Sequence, residues 1–125
     1  LIVSITIVMY FFNTPAFAEW IKIGKTNSGD TFYVDWSNIR YHEGYEYFWV
    51  LRDFAPPQLF GSSDTYFGKG DCKNFRYKYL TTLHFEKPMG EGSPILIESF
   101  TDVNRIWEYP LPETIYGKIL KLACN

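Results

Sequence analysis

The chain has 125 residues, enough for one domain, and its 12 basic and 14 acidic residues leave a net charge of -2. That near-neutral balance, without any run of Lys or Arg, argues against nucleic acid as a partner. Aromatic residues make up 20% of the chain, with 10 Tyr among them, a content suited to pleated, half-buried surfaces.

Leu1 to Phe12 (LIVSITIVMYFF) is apolar apart from Ser4 and Thr6 and carries no charge. It is shorter than the roughly 20 residues that a membrane span requires, and Pro15 precedes the small-x-small site Ala16-Phe17-Ala18. Residues 1–18 are therefore expected to be a secretory leader, truncated at its start because the initiator Met and a basic n-region are missing. Residues 19–125 are expected to form one exported domain, periplasmic or secreted, with no membrane span after cleavage. No cysteine follows the cleavage site to take a lipid. Display on the outer surface is thus left open.

The first elements alternate with a period of two. Trp20 to Gly24 (WIKIG) and Thr31 to Asp35 (TFYVD) flank a turn at Asn27-Ser28-Gly29-Asp30 and predict a hairpin. Trp36 to Arg40 begins with a turn and returns to extended chain through Ile39. Tyr45 to Phe54 is apolar on both parities: Tyr45, Tyr47, Trp49 and Leu51 share one face, and Phe48, Val50 and Phe54 share the other. This predicts a central strand covered on both sides and stopped by Ala55-Pro56-Pro57.

The Gly/Ser/Asp-rich stretch to Gly70 is expected to be a long loop, and long loops often carry binding. Asp71 to Glu86 is expected to be the longest strand, with Phe75, Tyr77, Tyr79, Leu83 and Phe85 on one parity. Ile95 to Phe100 supplies a further strand. Ile106 to Tyr109 is either a short last strand or an extended lead into a helix. Helical spacing occurs at the end, over Pro112 to Cys124, where Ile115, Ile119, Leu122 and Ala123 recur at steps of three and four and Pro112 suits the first turn. Gly117 inside it costs about 1 kcal/mol against Ala, so packing must hold the helix.

Cys72 and Cys124 are the two cysteines of the chain. In an exported protein they are expected to form one disulfide, tying the C-terminal helix to the middle of the domain. The fold class expected is α+β: a mainly antiparallel sheet of about six strands with one C-terminal helix packed on it.

The order AEW-IKIG, YVD-WSNIR, WVLRDF, DC with an Arg-Tyr strand, WEY-P and a helix ending in Cys resembles the surface-adhesin protein E family. Trp20, Asp35, Ile39, Trp49, Leu51, Asp53, Cys72, Arg76, Trp107, Pro110 and Cys124 carry the resemblance. It implies a sheet with a C-terminal helix tethered by a Cys72–Cys124 bridge, in a Gram-negative envelope protein. It also implies binding of host matrix or plasma proteins such as laminin, vitronectin and plasminogen. Similar small domains act as lysozyme inhibitors.

Chemical signatures are incomplete. His84-Phe85-Glu86 has the H-x-E half of a zinc deaminase but no P-C-x-x-C follows, and His42-Glu43 lacks the second His of H-E-x-x-H. No G-x-S-x-G occurs, and Gly68-Lys69-Gly70 lacks Walker A spacing and reads as a turn. No catalytic residue, metal or cofactor is therefore expected. Asp35, Asp53 and Asp71 could pair with Arg40, Arg52 or Arg76, and are expected to be structural ion pairs or solvated strand ends and not acid/base catalysts.

For Arg76, which shares parity with Cys72, two readings stand. One is a buried ion pair under the helix. The other is an exposed basic strip with Lys69, Lys73 and Lys78 that attracts an acidic partner. Phe60, Tyr66 and Phe67 resemble a binding rim, since Tyr and Phe are enriched at interfaces, and would equally serve to cap the open end of the sheet. The function expected is a non-enzymatic protein-binding module whose partner is a host or envelope protein. A lysozyme-type inhibitor entering a cleft with Ser62-Ser63-Asp64 is the alternative, followed by a small-ligand carrier or enzyme with a deep pocket. An open strand edge would allow homodimer formation by sheet pairing.

Overall fold

The structure, a computed structural model, describes residues 18–58 and 61–125. Residues 1–17 of the expected leader and the candidate Phe60 lie outside the described residues. Among the described residues the strands are β1 (Trp20–Lys25), β2 (Thr31–Asp35), β3 (Arg40–His42), β4 (Tyr45–Gln58), β5 (Gly61–Asp71), β6 (Arg76–Phe85) and β7 (Pro94–Ser99), and an α-helix, α1 (Ile115–Ala123), follows. They form a 7-stranded sheet in the order β1-β2-β4-β5-β6-β7, with β3 pairing the start of β4. Every neighbouring pair is antiparallel. The α+β class, the antiparallel sheet and the tethered C-terminal helix are as the sequence predicts.

β4 has the two apolar faces expected of it. Phe48 and Val50 join Phe32 and Val34 of β2 beneath Ile119 and Ala123 of α1, and all six are buried. Burying each of the larger side chains contributes about 1.5–3 kcal/mol. Gly68 and Gly70 of β5 allow this face to close. A Cβ on Gly68 would lie 2.7 Å from the Phe48 ring, and one on Gly70 would lie 3.0 Å from Leu120 Cδ1. These glycines therefore belong to a strand under the helix, and not to the turn that Gly68-Lys69-Gly70 suggested.

The helix is shorter than its periodicity implies. Thr114 is its N-cap, its Oγ1 accepting from the Gly117 amide at 3.2 Å, so Pro112 stands outside the helix. Gly117 has a steric reason: a Cβ there would fall 2.1 Å from the Leu111 carbonyl oxygen. The incoming chain crosses the helix at that point.

Three further boundaries differ from expectation. The pair Pro56-Pro57 does not end β4, because the β4–β5 register shifts between Asp53 and Gln58 and the ladder is interrupted there. The stretch from Gly61 to Gly70 is not a loop but most of β5. Cys72 lies in the turn between β5 and β6, where Asp71 accepts from the Asn74 amide and side chain. A bulge between Phe67 and Gly68 shifts the β5–β6 register, so Tyr77 and Tyr79 face α1 while Leu83 and Phe85 face the other way. The backbone of Ile106 to Tyr109 pairs with the sheet at one isolated bridge, Tyr77 to Glu108.

Cys72 and Cys124 are bonded across a sequence separation of 52. For a loop of that length the chain-entropy model gives about 4 kcal/mol, against the 5–15 kcal/mol of an ordinary domain. Replacing both cysteines by Ala is expected to lower the unfolding free energy by about 4 kcal/mol in urea titration. A loss below about 1 kcal/mol would show that the helix is held by packing alone.

Candidate functional site

Among the described residues the face of the sheet turned away from α1 has no helix to cover it. Two short pieces of chain cover its ends. At one end the turn Pro88–Gly90 sits on β4 and β5: the Met89 amide donates to Asp53 Oδ1 at 2.9 Å and the Gly90 amide to Ser63 Oγ at 2.9 Å. Ser63 in turn donates to the Lys87 carbonyl at 2.6 Å. At the other end a strap, residues 100–109, lays Trp107 on Tyr45 with ring centroids 5.9 Å apart.

Between these covers lies a cleft of about 500 Å³. Trp20, Tyr47, Trp49, Phe67, Leu83 and Phe85 line it, and Asp35, Asn38 and Arg40 form its polar rim. Phe67 stacks on Tyr47 at 5.7 Å and leans on Trp49 at 5.1 Å, so the floor is a continuous aromatic row across β4 and β5. The row follows from the pleat, because Tyr47 and Trp49 share a face of β4 and Phe67 is the register partner of Trp49.

The rim is rigid. The Asp35 carboxylate accepts from the Glu19 amide at 2.9 Å, Ser37 Oγ at 3.0 Å and Asn38 Nδ2 at 2.7 Å, which fixes the turn entering β3. Arg40 donates to the carbonyls of Ser37 and Ile39. Trp36 and Tyr41 are exposed but outside the lining of the cleft, and Tyr41, the register partner of Glu46, lies on the α1 face.

The expected basic strip is not on the surface. Lys69 and Lys78 are buried, and both donate to the Asp102 carboxylate of the strap at 2.5 Å. Their ammonium groups also lie 4.1 Å from the Tyr45 ring and 4.3 Å from the Trp107 ring, respectively. Burial opposes the charge on Lys69, but Asp102 outweighs it and raises the pKa, while the two lysines hold the Asp102 carboxyl below its ordinary range. Lys73 is exposed at the β5–β6 turn.

Arg76 donates to Asp71 at 2.7 Å and stacks over Trp107 at 4.3 Å. It is thus an ion pair on the face opposite the helix, and not beneath it. Arg52 pairs with Asp30 at 2.6 Å, a carboxylate outside the expected set, whereas Asp35 and Asp53 hold backbone turns. Tyr66 faces α1 and donates to Asp64 at 3.0 Å, so of the expected rim residues described here Phe67 alone enters the cleft.

Ser63 and Asp64 are buried in β5, which removes the protruding Ser62-Ser63-Asp64 tip on which the inhibitor reading relied. Asp64 Oδ1 meets His84 Nδ1 at 2.7 Å, and His84 Nε2 meets Glu98 Oε1 of β7 at 2.6 Å. Burial lowers the His84 pKa, but the hydrogen bonds to Glu98 and Asp64 outweigh it and raise the pKa above 6.5. With both ring nitrogens occupied by carboxylates, this histidine ties the edge strand to the sheet.

Among the described residues no group of three His, Cys, Asp or Glu side chains could hold a metal ion, and no helix is long and apolar enough to cross a membrane. The fold and cleft define a small, disulfide-tethered sheet domain with a rigid aromatic contact surface. The chain belongs to the surface-adhesin protein E family, whose model matches residues 20–125. No curated protein and no solved structure matches it.

Two outcomes follow for the charged clusters. Breaking a buried pair costs roughly 3–5 kcal/mol, and the partial exposure of Asp102 reduces this. Asp102→Asn is expected to destabilise the protein by about 2–3 kcal/mol in chemical unfolding, and adding Lys78→Met should recover part of that loss. A pair whose effects simply add would show that the two groups do not interact.

For His84, a folded pKa above the unfolded value stabilises fully below about pH 6.5, and the contribution disappears as pH rises through the folded pKa. The melting advantage of the wild type over His84→Gln should therefore shrink as pH rises from about 6.5 through the higher folded pKa. An advantage that grows with pH would contradict this.

Proposed function

We propose that this chain is an exported, non-enzymatic protein-binding module that grips its partner in the aromatic cleft. The observation that carries the reading is the aromatic row Tyr47–Phe67–Trp49, which no other element covers among the described residues. Aromatic side chains on a rigid scaffold are the usual anchors of protein interfaces, since they bury much area at little cost in entropy. The cleft volume of about 500 Å³ falls within the range of small-ligand pockets. Its rim residues Asp35 and Asn38, however, spend their hydrogen bonds on the chain itself, which favours contact over capture of a small polar ligand.

The partner is a host matrix or plasma protein, or another envelope protein, met in the periplasm or after secretion. Residues 1–18 serve as the export leader in this reading. Phe67 works within the cleft, and Lys73, exposed at the β5–β6 turn, meets the partner away from it. Pairing of two copies would use β7, where Ile95, Leu96 and Ile97 are 52%, 51% and 59% exposed.

Surface plasmon resonance of the purified protein over immobilised laminin, vitronectin and plasminogen tests the proposal. Binding to at least one is expected, with Trp49→Ala or Phe67→Ala weakening it by about 30-fold, the size of a hot-spot residue, at unchanged circular dichroism. The exposed rim variant Arg40→Glu, which leaves the aromatic floor intact, should also weaken binding. Affinity indifferent to all three substitutions, or no binding to any of the proteins, would defeat this reading.

A further inference from the structure

A second recognition surface lies at the β1 edge of the sheet, lined by residues separate from those of the cleft. Ile21 and Ile23 of β1, Leu122 of α1 and Phe75 form the apolar floor of an open groove of about 690 Å³. Lys22, Lys118 and Lys121 stand around it and are exposed. None of the three takes part in an ion pair among the described residues, whereas Lys69, Lys78, Arg52 and Arg76 are all paired. In a chain of net charge -2 this groove is a local reversal of sign. Lys121 in the last turn is favoured by the helix dipole, but Lys22 lies on another element and has no such reason to be there.

The groove is bounded by a strand edge. Among the described residues β1 pairs with β2 alone and ends the sheet, so its outer amides and carbonyls face the groove side. We propose that this edge docks an acidic polypeptide segment, which adds to β1 as an extra strand and places its carboxylates against the lysines. The pleat suits such a ligand in either orientation. Ile21 is the register partner of Val34, on the α1 side where Lys118 and Lys121 stand, and Lys22 is the partner of Tyr33 on the other side. A strand of alternating apolar and acidic residues thus meets a lysine and an apolar side chain whichever face it presents.

Self-pairing is disfavoured by the same residues. Two β1 edges brought together would set Lys22 and Lys25 against lysines. The acidic character of the partner is what the lysines select. A peptide backbone is what the strand edge selects, in preference to an anionic lipid.

The test uses an acetylated, amidated Val-Glu repeat of about eight residues, titrated into the isotopically labelled protein at low salt and followed by amide NMR. Shifts and slowed exchange are expected at Trp20–Lys25 and along the helix beside it. Lys118→Glu/Lys121→Glu, exposed positions that leave the core untouched, should weaken the peptide about tenfold or more. A Val-Lys repeat and a repeat N-methylated at alternate residues should not bind, and phosphatidylglycerol vesicles should not displace the Val-Glu peptide. The Trp49→Ala variant should bind it as the wild type does, which separates this proposal from the one for the cleft. Shifts away from β1, equal binding of the Val-Lys or N-methylated peptide, displacement by vesicles, or no response at millimolar peptide would each overturn it.

Discussion

The Phe48 ring rests on the backbone of Gly68, so near that a Cβ there would lie 2.7 Å from it, and this close approach commits one face of the sheet to the helix. With two glycines on β5 the layer thins, and Ile119, Leu120 and Ala123 reach the strands. The Cys72–Cys124 bond then fixes the end of α1 to the β5–β6 turn. β4, however, is apolar on both parities, and the one helix among the described residues covers one face. The opposite face has to be covered by lesser means: the turn Pro88–Gly90, held by Asp53 and Ser63, and the strap, held by Asp102 and Trp107. What neither reaches is the aromatic cleft, so the candidate site is a consequence of how the core is divided.

Charge is used in two separate ways. The buried cations Lys69 and Lys78, with Arg76 beside them, are satisfied inside the molecule by Asp102, Asp71 and the ring faces of Tyr45 and Trp107. Such groups hold the strap in one place, and their removal is costly because a buried charge would be left unpaired. Lys22, Lys118 and Lys121 are exposed and, among the described residues, outside the ion pairs, which leaves them available to a partner. Burial is the property that separates structural lysines from recognition lysines here.

That property is also what limits reading the chain from its residues. The β1–β2 hairpin, the two faces of β4, the C-terminal helix and the cysteine pairing are legible because each rests on local periodicity or on there being two cysteines. The partner of Lys69 is not, because Asp102 lies 33 residues away and no local pattern links them. β5 is obscured by its composition: Gly, Ser and Asp signal a loop, yet Gly68 and Gly70 are there to admit Phe48, and Ser63 to hold the Pro88–Gly90 turn. The cleft had one available signal. A strand with two apolar faces, in a chain with one helical segment, implies a face that must be covered some other way or left open, and Tyr47 and Trp49 name it. The bulge between Phe67 and Gly68, which sends Leu83 and Phe85 to that face and Tyr77 and Tyr79 to the other, has no comparable signal.

Hydrogen–deuterium exchange of the protein with and without a bound protein partner tests the central claim, that the face without a helix is the working surface. Protection is predicted at Tyr47–Trp49 and Thr65–Phe67 and around the turn entering β3, with α1 unchanged on its outer side. Protection confined to α1 and the strap, leaving the aromatic row as it is in the free protein, would contradict the account.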